Sequence, residues 1–109
     1  MKAHHRLLLC ACPTRETALE LAEHLVTERL AACVSLVPDV TSVYRWEGNI
    51  QRESEVLLLI KTTLERTGQL TERLRQLHPY EVPEIIAIPI TAGLHDYLSW
   101  VTTCTKEQD

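Results

Sequence analysis

Apolar and polar positions follow two different periods along the chain. Residues 6 to 12 form a short apolar run, the pattern of a central strand buried on both faces. Thr14 stands where a helix cap belongs, and Ala18, Leu21, Ala22 and Leu25 then recur at i, i+3, i+4 and i+7, the spacing of one buried helical face. That helix is expected to end near Leu30. From 31 to 46 the period drops to two, with Val34, Leu36, Val40, Tyr44 and Trp46 on one parity and Ser35, Asp39, Thr41 and Arg45 on the other. Pro38 cannot donate to a strand ladder, so a bend or bulge is expected there. Glu47, Gly48 and Asn49 supply turn chemistry before a strand from Glu55 to Lys61, which makes a long hairpin.

Thr62 and Glu65 have the spacing of a capping box, and Leu70, Leu74 and Leu77 mark the apolar face of a second helix. Pro79 stops it, because the residue before a proline is pushed out of the helical region. Ile85 to Ile90 reads as a fourth strand, and Leu94, Tyr97, Leu98 and Val101 outline a short last helix. The order is strand, helix, strand, strand, helix, strand, helix. That order is the α+β, ferredoxin-like βαββαβ sandwich with an extra C-terminal helix. Two helices cover one sheet face, and the apolar surface left on the other face predicts an oligomer contact.

At 109 residues the chain is expected to form a single domain, residues 1 to 109. Its net charge of -4 repels a phosphate backbone, and no basic stripe with interleaved aromatics offsets it, so no nucleic-acid partner is expected. No stretch approaches the roughly 20 apolar residues of a membrane span, so no membrane partner is expected either. The apolar run near the start is too short for an export signal and is needed as the first strand. Four cysteines without paired spacing then read as reduced thiols of a cytoplasmic protein. No nucleophile with its base, paired-carboxylate site, HExxH motif or glycine-rich phosphate loop is present, so the chain is expected not to be an enzyme. An acylphosphatase has the same topology, but "CPTRET" replaces its arginine-bearing loop after the first strand.

"RLAACVSLVPDVTSVYRWEGNIQRESEVLLLIKTT" (residues 29 to 63), "HPYEVPEIIAIPI" (78 to 90) and "YLSWV" (97 to 101) together resemble the divalent-cation tolerance CutA family. The resemblance runs from about Leu7 to Val101. It implies a ferredoxin-like protomer assembled as a homotrimer, with the hairpin reaching a neighbour, and a role in tolerance to copper and other divalent metal ions. It implies no cofactor needed for the fold. The architecture is also similar to the PII signalling proteins, so a trimeric small-molecule sensor or interaction scaffold with an inter-subunit cleft is the alternative. Family metal ligands correspond here to Cys10, on the first strand, and His78, directly before Pro79. Leu77 stands where some relatives carry a second histidine.

Each candidate residue has a plainer role beside its functional one. Cys10 offers a soft thiolate for copper, or is a small core residue. Cys12, two residues on, shares its strand face. His78 ends a helix, where it serves the last carbonyls or a metal. Glu84 offers an oxygen ligand or a strand-edge charge. Tyr80 and Trp46 are placed at an inter-subunit cleft or interface, as ligand contacts or packed rings. Lys61 is expected to pair with a carboxylate such as Glu84 near a subunit junction, or to extend into solvent.

Overall fold

The computed structural model describes residues 3–107. Along the chain they form β1 (His5–Cys12), α1 (Arg15–Thr27), β2 (Cys33–Trp46), β3 (Asn49–Thr63), α2 (Leu64–Leu77), β4 (Ile85–Ile90) and α3 (His95–Cys104). The strands make one antiparallel sheet in the order β2-β3-β1-β4. Each of α1 and α2 joins two strands that have a strand of the other unit inserted between them, which is the split βαβ arrangement expected from the element order.

Local chemistry sets most of the boundaries. Thr14 caps α1, its hydroxyl accepting from the Thr17 amide at 3.1 Å. The helix stops at Thr27, short of Leu30, in a left-handed turn at Arg29 (φ 60°). There the Arg29 amide donates to Val26 and the Leu30 amide to Leu25, a Schellman closure whose two leucines both lie in the core. Between β2 and β3, Glu47 (φ 50°) and Gly48 (φ 81°) occupy a two-residue hairpin turn closed by the pair Trp46 and Asn49. The expected irregularity at Pro38 is a bulge: the register shifts between Val37 and Val40, with Asp39 at φ 58°.

Two expectations are corrected. β3 runs from Asn49 rather than Glu55, because the tight turn carries the polar stretch 49 to 54 into register with β2. Thr62 does not cap α2. Thr63 is the cap residue, without a side-chain bond, while the buried Thr62 hydroxyl donates to the Leu30 carbonyl at 2.6 Å. The hydroxyl satisfies a carbonyl at the end of the Schellman turn, and that tertiary bond wins over the local capping box.

The main core lies between the helices and one sheet face. Leu8, Cys10 and Cys12 of β1 stand beside Val56, Leu58 and Ile60 of β3, beneath Ala18, Leu21 and Leu25 of α1 and Leu70 and Leu74 of α2. On the opposite face Leu7 and Leu9 pair with Ile88 and Ile86, which are 41% and 51% exposed. β1 is therefore central but fully covered on one face only. α3 meets one end of that second face, where Thr102 Oγ1 lies 2.9 Å from His5 Nε2.

Candidate functional site

Strand periodicity places Cys10 and Cys12 on the same buried face of β1. The end of α2 brings His78 to them. Pro79 stops the helix, and His78 leaves it with extended backbone (φ -72°, ψ 137°), so its ring turns back over β1. One ligand atom from each of Cys10, Cys12 and His78 falls within 4.8 Å of the others, and all three residues are buried.

The imidazole is already committed on both sides. Nε2 lies 2.8 Å from the Ala11 carbonyl, and Nδ1 lies 3.1 Å from the Tyr80 amide. A carbonyl only accepts and an amide N–H only donates, so one neutral tautomer satisfies both, with the proton on Nε2. The thiols also influence each other. Cys10 is held far above the ordinary thiol range, first by the neighbouring Cys12 thiol and then by burial. Cys12 is lowered by the neighbouring Cys10 thiol. The nearby charges, Glu84 and Glu55, both oppose ionisation of Cys10. A bound cation would supply the missing positive charge.

This donor set fits a soft ion. Two thiolates and an imidazole suit copper or zinc far better than a hard oxygen-seeking ion. The cysteines fit as they stand, whereas His78 becomes a ligand only by releasing Ala11 or Tyr80. Glu84 is not part of this cluster. It lines an open cleft of about 690 Å³ together with Tyr44, Trp46, Glu55, Tyr80 and Glu81. Leu77, where a second histidine stands in some relatives, packs against the hydrophobic core.

That cleft adjoins the cluster through Tyr80. Its ring lies 4.8 Å from that of His78, and its hydroxyl donates to Glu55 Oε2 at 2.7 Å. Burial first, and the Glu55 carboxylate next, raise the Tyr80 phenol well above its ordinary range. Trp46, at the hairpin tip, is 44% exposed and lines the same cleft.

Within one chain Lys61 lies apart from Glu84. It stands opposite Leu7 and Cys33, donates to Ser35 Oγ at 2.6 Å and reaches Cys33 Sγ at 3.7 Å. Glu84 adjoins Ile85, the partner of Cys10 at the other end of the β1–β4 pairing. A hydroxyl two residues from Cys33 on the same strand face is the nearer acceptor.

The profile of the CutA1 divalent ion tolerance protein family matches residues 6–104. This chain belongs to that family. A divalent-cation tolerance protein CutA of Thermus thermophilus is 50% identical over 95 residues, 87% of this chain and 92% of the relative. A mouse protein CutA is 48% identical over the same share of this chain, which spans 54% of the mouse protein. The crystal structure of CutA from Xylella fastidiosa superposes with a TM-score of 0.93 at 40% identity, covering 95% of this chain and all of that one. The family fold is thus an α+β sheet of four strands with three helices.

Sequence reasoning gave Cys12 little weight and passed over Glu55. The first had a usable signal, since a spacing of two on a strand puts both thiols on one face. The second had none: Glu55 lies within β3, just before its apolar half, and its partner Tyr80 is 25 residues away in the loop after α2.

Proposed function

We propose that this CutA-family chain is a non-enzymatic, cytoplasmic homotrimer that binds copper or a similar ion in divalent-cation tolerance. Cys10 and Cys12 supply thiolate ligands, and His78 joins them by giving up one backbone hydrogen bond. The observation carrying this reading is the convergence of the three ligand atoms within 4.8 Å. Four cysteines without paired spacing in the sequence support a reducing compartment. Exposed Ile86 and Ile88 on the sheet face, with Val43 and Ile50 on the hairpin, support self-association.

The test is titration of the reduced protein with Cu(I) against a competing chelator, for the parent and for Cys10→Ala and Cys12→Ala. Saturable binding should be lost in both variants while the sedimentation mass stays at three chains. Variants that bind like the parent would remove the ligand assignment, and a single-chain mass would remove the trimer.

The cleft of about 690 Å³ at Tyr80 and Glu84 favours a second reading, a PII-like sensor or scaffold that takes a small molecule there. It predicts saturable binding of a small organic molecule by the metal-free protein. A cleft that binds no small molecule would end that reading.

A further inference from the structure

We infer that His78 takes a metal ion through Nδ1 and that binding releases the Tyr80 amide, which passes occupancy of the site to the connection between α2 and β4. The proposal rests on the metal-binding reading above and gives that site its ligand atom and its consequence. A ring nitrogen that holds an ion cannot also hold a hydrogen-bond partner, and both His78 nitrogens have one. The Ala11 carbonyl lies 2.8 Å from Nε2, and the Tyr80 amide lies 3.1 Å from Nδ1. The two choices differ in cost. Ligation through Nε2 moves the ring proton to Nδ1, so the Ala11 bond is lost and an N–H is left facing the N–H of Tyr80. Ligation through Nδ1 keeps the proton on Nε2 and the bond to Ala11, and gives up the Tyr80 amide alone. The retained bond is also the usual support of a metal-ligating histidine, whose second nitrogen donates to a carbonyl or carboxylate.

The two neighbours of the ring are held differently. Ala11 belongs to the central strand β1, where it pairs with Leu57 of β3. Tyr80 lies among residues 78 to 84, which form neither helix nor strand. When the ring must part from one of them, the sheet side stays and the loop side gives way. Tyr80 carries that movement further, because its ring lies 4.8 Å from the His78 ring and its hydroxyl donates to Glu55 Oε2 at 2.7 Å. Glu55 is buried, so its hold on Tyr80 opposes the release, and by linkage it weakens metal binding.

Nitrogen NMR of the histidine rings and backbone amides, on the whole reduced protein titrated with Cu(I), tests this. On binding, His78 Nε2 should keep its proton, Nδ1 should shift, and the Tyr80 amide should exchange with solvent about tenfold faster. Tyr80→Phe keeps the ring and the amide but frees Glu55, and it should bind Cu(I) about three- to tenfold more tightly than the parent. A ring proton moved to Nδ1, or a His78 ring unchanged while the cysteines alone hold the ion, would overturn the proposal and leave the metal site standing. Unchanged exchange of the Tyr80 amide, or a Tyr80→Phe affinity no higher than the parent's, would overturn it in the same way. Absence of saturable Cu(I) binding would overturn the metal reading and the proposal with it.

Discussion

His78 donates from Nε2 to the carbonyl of Ala11 at 2.8 Å, across 67 residues of sequence. This bond ties the exit of α2 to the central strand, and the acceptor lies between the two cysteines. The same ring accepts the Tyr80 amide. His78 is thus a structural joint before it is anything else, and metal binding must compete with that role.

Replacing His78 by Ala removes both bonds and leaves a cavity in a buried site. A loss of about 2–4 kcal/mol is expected in denaturant unfolding at fixed protein concentration. His78→Gln, which can still donate to Ala11, should lose less. Equal losses for the two variants would show that the Ala11 bond contributes nothing.

Thr62 offers a cleaner hydrogen-bond test. Thr62→Val keeps the shape but leaves the Leu30 carbonyl without its buried donor, at a cost of about 1–3 kcal/mol. Thr62→Ser retains the donor and should fall nearer the parent. The two midpoints, measured side by side, check the assignment.

Arg29 adopts a left-handed backbone at φ 60° to close α1, a conformation that strains a side chain with a Cβ. Arg29→Gly is expected to raise stability by about 0.5–1 kcal/mol, the relief exceeding the added freedom of the unfolded chain. A fall in the unfolding midpoint would refute the strain.

Alkaline pH reports on Tyr80. Its phenol pKa is raised in the folded state, so the unfolded chain loses this proton first as pH rises. The contribution is fully present below the unfolded phenol value of about 10 and is lost as pH climbs from there towards the folded value. Tyr80→Phe should therefore show a shallower decline in stability above that pH than the parent. Parallel declines would mean that Tyr80 does not titrate differently in the two states.

Thiol reactivity separates the cysteines. Cys10 and Cys12 are fully buried, whereas Cys33 and Cys104 are partly exposed. A small alkylating reagent should modify Cys33 and Cys104 first and reach the β1 pair only at the rate of unfolding. A bound soft ion should slow the pair further, and rapid labelling of Cys12 in the native protein would contradict its burial.

The strand, helix and turn order was legible in the sequence because it depends on neighbours. Period two and period 3.6, a threonine at a helix start, Pro38 in a strand and Glu47-Gly48 in a turn all act over a few residues. So does the placement of Cys10 and Cys12 on one face. The fate of Thr62, the full length of β3, the partners of His78, the burial of Glu55 and the separation of Lys61 from Glu84 could not be read that way. Each depends on a hydrogen bond or a strand register that joins distant segments, and only the packed sheet and helices bring those groups together.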